Sequence, residues 1–173
     1  MSIFSIFKLN RKKENSGSKQ DFSVIFEDFQ RKDYLGKAAV AGRDAEAAVK
    51  SNKYDEAWRL YHEQKSLFVQ HAQHCNFNKR QTLALDSTVS EDLANILRLE
   101  GRHEQAFVHI LYWVVACSEN PIKRHEQKLS SYFNRCKYSN TSIDDVRKFI
   151  EDCKSNPDFA TIQGKVSEWS SRG

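Results

Sequence analysis

Asn52-Lys53-Tyr54-Asp55-Glu56-Ala57-Trp58-Arg59-Leu60-Tyr61 and Gly101-Arg102-His103-Glu104-Gln105-Ala106-Phe107-Val108-His109-Ile110 carry one pattern twice. A turn-former (Asn52, Gly101) is followed two residues later by a ring (Tyr54, His103). Three residues on stands an alanine (Ala57, Ala106), and four further a large apolar residue (Tyr61, Ile110). Gly or Asn just past a helix end accepts the left-handed backbone that stops the helix. The ring then fills the corner, and the alanine lets two helices approach closely. The pattern predicts an all-α chain of stacked antiparallel helix pairs.

The segments on either side agree. Lys37–Ser51 is rich in alanine, a strong helix former, and Ala38, Ala41, Ala45 and Ala48 make a thin face suited to close packing. From Tyr54 to about Cys75 an amphipathic stripe runs through Ala57, Trp58, Tyr61, Lys65, Phe68 and Ala72. Lys79–Glu100 reads either as one long helix or as a shorter one starting at the capping-box pattern Thr88-x-x-Glu91, with Leu93, Ile96 and Leu97 as its core face. Glu104–Ser118 has almost no polar face, and a helix apolar all round is buried all round. It is expected at the centre.

Helix starts are expected at Pro121 and Pro157, each behind an Asn, and near Thr141-Ser142, where Asp144 and Asp145 suit a helix N-terminus. The first of these helices packs Ile122, Leu129, Phe133 and Cys136; the middle one packs Val146, Phe149, Ile150 and Cys153. The last carries Phe159, Ile162, Val166 and Trp169 and caps the stack. Upstream, Phe22, Ile25, Phe26 and Phe29 place a helix over Asp21–Leu35, closed by Gly36.

Composition fits this reading. The 173 residues suit one domain over 21–173, and two Pro with six Gly favour long helices over β-turns. The net charge of +4 resides in residues 1–20, where five bases face Glu14 alone; the remainder balances, with 27 − 5 = 22 basic and 23 − 1 = 22 acidic residues. A neutral domain does not suggest a nucleic-acid binder, which needs a net basic face. Cys75, Cys117, Cys136 and Cys153 form no C-x-x-C pair and read as reduced thiols of a cytosolic protein.

At the recurring corners the chain resembles the tetratricopeptide-repeat family. Asn52, Tyr54, Ala57 and Tyr61, preceded by Ala45 and Ala48, match one unit; Gly101, Ala106 and Ile110, preceded by Leu93, Ala94 and Leu97, match a second. Pro121–Ser155 would supply a third, degenerate pair. The two signatures lie 101 − 52 = 49 residues apart, against about 34 in the family. The early Trp of that family is absent, and the second ring is His103 rather than Tyr. The resemblance implies a divergent α-solenoid; the alternative is a compact helical bundle with one recurring hairpin.

Candidate sites follow from polar faces. Glu91, Asn95, Arg98 and Arg102 share one side of the 79–100 segment, away from Leu93 and Ile96. The resemblance implies that Asn95 lines a concave groove and clamps a peptide backbone. Arg124, Lys128, Ser131 and Arg135 share the side opposite Leu129 and Phe133, and with the first face would hold an acidic segment. At the N-terminus, Ile3, Phe4, Ile6 and Phe7 precede Lys8, Arg11, Lys12 and Lys13. That order reverses a secretory signal and suits contact of a flexible 1–20 tail with an anionic membrane from its inner, cytoplasmic face. His71, His74 and Cys75 form H-x-x-H-C, too sparse for zinc without further ligands.

No nucleophile motif, phosphate loop or dinucleotide fingerprint occurs, so no catalytic residue and no cofactor are expected. The sequence is read as a non-catalytic protein–protein interaction module, an adaptor or scaffold with a helical groove. The alternatives are a dedicated inhibitor, such as a toxin-neutralising immunity protein, and a metal-dependent enzyme centred on His71, His74 and Cys75.

Overall fold

Eight helices fill the residues that the computed structural model describes, 32–172, and no strand occurs among them. They are α1 (Tyr34–Lys50), α2 (Tyr54–His74), α3 (Lys79–Ser87), α4 (Ser90–Leu99), α5 (His103–Ala116), α6 (Lys123–Cys136), α7 (Ile143–Cys153) and α8 (Phe159–Ser171). The N-terminal tail with Ile3–Lys13, and most of the helix expected over Asp21–Leu35, lie outside the described residues.

Both recurring corners are helix stops of one geometry. Asn52 and Gly101 stand at φ 57° and 77°. At the first, the Lys53 N–H reaches the Ala48 carbonyl at 2.9 Å and the Asn52 N–H reaches Val49 at 3.0 Å. At the second, Arg102 reaches Leu97 at 2.8 Å and Gly101 reaches Arg98 at 3.1 Å. These paired bonds satisfy carbonyls that a helix end otherwise leaves open. The Tyr54 hydroxyl closes its corner by donating to Asn52 Oδ1 at 3.0 Å. A third stop of the same kind occurs at Asn76 (φ 54°), where Phe77 N–H reaches the Ala72 carbonyl at 2.8 Å.

α1 and α2 form the first hairpin, and α1 meets α2 through small residues. Ala38, Ala41, Gly42, Ala45 and Ala48 are buried, as is Ala57 opposite. The end of the Gln64 side chain lies over Gly42, its Nε2 2.7 Å from where a Cβ would stand. α4 and α5 form the second hairpin, with Ala106 fully buried. The corners are 49 residues apart because α2 runs for 21 residues and the nine-residue α3 is interposed before α4.

α5 is the central helix. Ten of its 14 residues are buried, and α3, α4, α6, α7 and α8 all pack on it. Phe107, Ile110, Leu111 and Val115 are fully enclosed. Each such side chain stabilises the fold by roughly 1.5–3 kcal/mol relative to exposure. A second cluster joins Ala45, Ala57, Tyr61, Leu93 and Ile96 between the first hairpin and α4. Trp58 touches both clusters.

Four local expectations are corrected. Gly36 does not close a helix; it lies in the first turn of α1, which the strong propensity of the following alanines carries back to Tyr34. The 79–100 segment is neither one helix nor a single short one: it breaks at Thr88-Val89 into α3 and α4. Thr88 does not cap α4, because its hydroxyl donates back to the Leu85 carbonyl at 2.7 Å. The capping box stands instead at Asn78 and Gln81, whose bonds are 2.9 and 3.0 Å.

The Asn-Pro pairs do not start helices either. α6 begins at Lys123 and α8 at Phe159, two residues after each proline. Asp158 caps α8 by accepting from the Thr161 N–H at 2.7 Å, while the Asn156 side-chain Oδ1 accepts from Lys79 Nζ at 2.7 Å. A charged cap close by outcompetes an amide already engaged elsewhere. The shift also leaves Ile122 53% exposed instead of packed. The start near Ser142 is as expected, with Ser142 and Asp145 in a reciprocal capping box.

Candidate functional site

The fully apolar run of α5 is interrupted by His109, and the structure makes that residue the floor of a cleft. α2 and α8 close on it from two sides. Trp58 stands at right angles to the imidazole, with ring centroids 5.8 Å apart, and Phe159 lies 5.0 Å from it. The cleft has a volume of about 320 Å³. Leu97, Val108 and Val166 complete its apolar walls; Arg102, Glu104, Gln105, Gln163 and Ser167 supply polar groups.

His109 is 8% exposed, and its Nδ1 is buried without a hydrogen-bond partner. Burial, reinforced by the positive charge of Lys65 and by His62, pushes its pKa down to about 3, so the ring is neutral near pH 7. A buried polar atom without a partner costs about 1–3 kcal/mol. Ser90 Oγ, His103 Nδ1 and Thr141 Oγ1 are buried without a partner as well.

Behind the cleft lies a satisfied polar network. Lys65 Nζ is 3.2 Å from Asp86 Oδ2 and sits 5.3 Å above the Tyr112 ring. The Tyr112 hydroxyl donates to the same carboxylate at 2.8 Å. Burial first, then the Asp86 charge, raises the Tyr112 pKa. The His62 pKa is lowered by desolvation and by Lys65, and this ring lies tilted against Trp58, with centroids 5.0 Å apart. α2, α3 and α5 are thereby tied together beside the cleft, which fixes the orientation of its walls.

The residues singled out from the sequence fall into several groups. Glu91 on α4 accepts from Arg124 Nη2 at 2.6 Å and Lys128 Nζ at 2.8 Å, both on α6. The two faces read separately from the sequence thus meet as one interhelical ion cluster. Burial works to raise the Glu91 carboxyl, but hydrogen bonds from Lys128 and Arg124 outweigh it and leave its pKa below the ordinary carboxylate range. Asn95 Oδ1 accepts from Arg98 at 3.2 and 2.8 Å. Arg102 pairs with Glu100 at 3.1 Å and also bonds Gln105. It is the one member of the sequence-read set that lines the cleft. Arg135 bonds the Ser131 carbonyl and hydroxyl on its own helix.

At the end of α2, His71 and Cys75 face each other, with Sγ 3.6 Å from Nε2, whereas His74 turns towards Tyr34 with ring centroids 6.0 Å apart. Among the described residues, no group of three His, Cys, Asp or Glu side chains converges as a metal site would. No described helix is long and apolar enough to cross a membrane.

Sequence reasoning placed Trp58 and Phe159 in the core and did not assign His109 a role. The available signal was His109 itself, a histidine inside an otherwise apolar stretch. Its partners come from positions about 50 residues away on either side, and nothing in the local pattern points to them. No family model, curated protein or solved structure matches the chain.

Proposed function

We propose that this chain is a non-catalytic protein-binding module, a divergent helical-hairpin repeat domain of the tetratricopeptide kind, which takes a peptide segment of a partner in the cleft between α2, α4, α5 and α8. The observation that carries this reading is the cleft itself. A neutral imidazole lines it, its walls are aromatic and aliphatic, and side-chain amides and a guanidinium stand around them. Concave, largely apolar sites with a few convergent polar groups are where proteins hold ligands. The α4–α6 face is a weaker candidate, because Arg124 and Lys128 already share the Glu91 carboxylate.

The test is selection of peptides on the immobilised full chain from a random display library, followed by titration against a blocked variant. Gln163 is an exposed residue of the cleft, so Gln163→Trp fills the opening without touching the core. Selected peptides should lose binding to this variant. Equal affinity for both proteins, or failure to select any peptide, overturns the reading.

A further inference from the structure

We propose that α3 is a strap that unwinds locally, ahead of global unfolding, and that its release uncovers the Cys117 thiol and opens the Lys65–Asp86–Tyr112 network. The strap stands independently of the peptide-binding reading above.

α3 is built unlike its neighbours. Its one buried residue is Ser87, and Leu83 enters the main apolar cluster only in part. Every other described helix buries at least two apolar side chains. Apolar burial is the main force that holds a helix on a core, and α3 has little of it. Nor is α3 stable by itself. A nine-residue helix is marginal in water, so on leaving the core it unwinds rather than swinging out as a rod.

The ties that hold α3 are polar. Lys79 Nζ donates to Asn156 Oδ1 at 2.7 Å; Arg80 pairs with Glu119 and donates to the Lys154 carbonyl at 3.4 Å. These bonds reach the α5–α6 and α7–α8 connections and lie at the surface, with Arg80 and Glu119 about half exposed. Exposed ion pairs contribute little and weaken with salt. At the other end Asp86 takes Lys65 at 3.2 Å and Tyr112 at 2.8 Å, and Ser87 Oγ meets Cys117 Sγ at 3.6 Å. Asp86 is the best-covered tie, but a covered ion pair adds little net stability, because both charges give up hydration to form it.

Both ends of α3 are breaks in the helical run. Asn76, at φ 54°, stops α2 before it. Where α3 meets α4, the Ser87 and Thr88 hydroxyls donate back to the Ala84 and Leu85 carbonyls at 2.9 and 2.7 Å. Such back-bonding bends and weakens a helix. An element with few buried apolar groups, bounded by two breaks, opens as a separate unit while the core stays folded. Asp86 then leaves Lys65 and Tyr112, and Ser87 leaves the Cys117 thiol.

The experiment measures amide hydrogen exchange and N-ethylmaleimide labelling on the full chain at pH 7, wild type against a Lys79→Ala, Arg80→Ala double variant. Both side chains are exposed, so the change leaves the core intact. In the wild type, the amides of 83–87 should share one protection factor, at least about tenfold below that of 107–111 in α5. The double variant should lower the 83–87 protection and speed Cys117 labelling together, by about fivefold, with 107–111 and Cys136 unchanged. Cys136 is the control because its Sγ lies against the His103 and Tyr132 carbonyls of α5 and α6. Raising NaCl to about 1 M should speed Cys117 labelling in the wild type and change the variant less. Equal protection of 83–87 and 107–111, Cys117 labelling that follows Cys136 in both proteins, or a double variant in which all amides lose protection alike overturns the strap. Should the variant not fold, the salt series decides on the wild type: Cys117 labelling that does not rise at high salt overturns it too.

Discussion

Trp58 of α2 and His109 of α5 meet edge to face, their ring planes 88° apart and their centroids 5.8 Å apart. Because Trp58 packs on both apolar clusters, this contact is one of the points at which the first hairpin meets the central helix, beside the Lys65–Asp86–Tyr112 network. Burial as a whole, with the charge of Lys65 next, disfavours the charged form of His109.

Stability should therefore depend on pH through His109. Its folded pKa is depressed to about 3 from an ordinary 6.5, mainly by burial. The unfolded chain then binds the extra proton first. The contribution is fully present above about pH 6.5 and is lost as pH falls from there towards 3, by at most about 1.4 kcal/mol per pH unit. His125 and His62, also lowered by burial first, act in the same direction. Denaturant melts of the wild type and His109→Leu at pH 7 and pH 5 check this: the variant should lose less between the two values, by about 1–2 kcal/mol. Superimposable pH dependences would mean that His109 is not held neutral.

Trp113 should be a main support of the central helix. It is 7% exposed and meets the His125 ring in a T-shaped contact with centroids 4.3 Å apart. Trp113→Ala removes the ring from between α5 and α6 and should cost about 3–5 kcal/mol. A thermal melt indistinguishable from wild type would contradict the central position of α5.

The two helix corners should respond alike to substitutions that test their backbone. Gly101 is at φ 77° with open space where a Cβ would stand, so Gly101→Ala carries only the backbone cost of about 1–2 kcal/mol. Asn52→Gly, at φ 57°, relieves the left-handed backbone but removes the exposed bond from the Tyr54 hydroxyl, so the two effects should nearly cancel, within about 0.5 kcal/mol. Ala57→Leu and Ala106→Leu, both fully buried between helices, should each cost about 1–3 kcal/mol by overpacking. Chemical denaturation of the four variants decides the matter; tolerance of leucine at both alanines would remove the case for close helix approach at the corners.

Glu91 should couple energetically to Lys128. The carboxylate is largely covered, with 13% of its side chain exposed against 36% for Lys128. A double-mutant cycle over Glu91→Gln and Lys128→Met should return about 0.5–1 kcal/mol at low salt and less at high salt, as screening requires for a partly exposed pair. With the folded Glu91 pKa lowered, its contribution is present above the ordinary glutamate range and fades as pH falls through the folded value. A coupling of zero at low salt would show that the α4–α6 pairing is incidental.

Much of the fold was legible because helix signals act over a few residues. Asn52 and Gly101 bond carbonyls three positions earlier, the residues after them, Lys53 and Arg102, bond carbonyls five positions earlier, and Ser142 caps through Asp145 three positions later. The apolar run of α5 identified the central helix for a similar reason: a segment without a polar face has no stable place at a surface. The misreadings arose where a local signal met a distant competitor. Asn156 fits an N-cap, but its side-chain Oδ1 accepts from Lys79, and Asp158 caps α8 two residues later.

The candidate site was hardly legible at all. Arg102 was reached from the sequence, yet the cleft it borders is defined by Trp58, His109 and Phe159, which come from three helices spread over about 100 residues of chain. By itself the sequence determined the helical class, the two hairpin corners and the burial of α5, since propensity, capping and periodicity are settled within one or two turns. Only the tertiary structure decided that Glu91 joins Arg124 and Lys128, that Trp58, His109 and Phe159 line one cleft, and that His109 Nδ1 is buried without a partner. Hydrogen-bond satisfaction of a buried group depends on which distant side chains surround it, and that is fixed by how the helices pack rather than by any pattern along one of them.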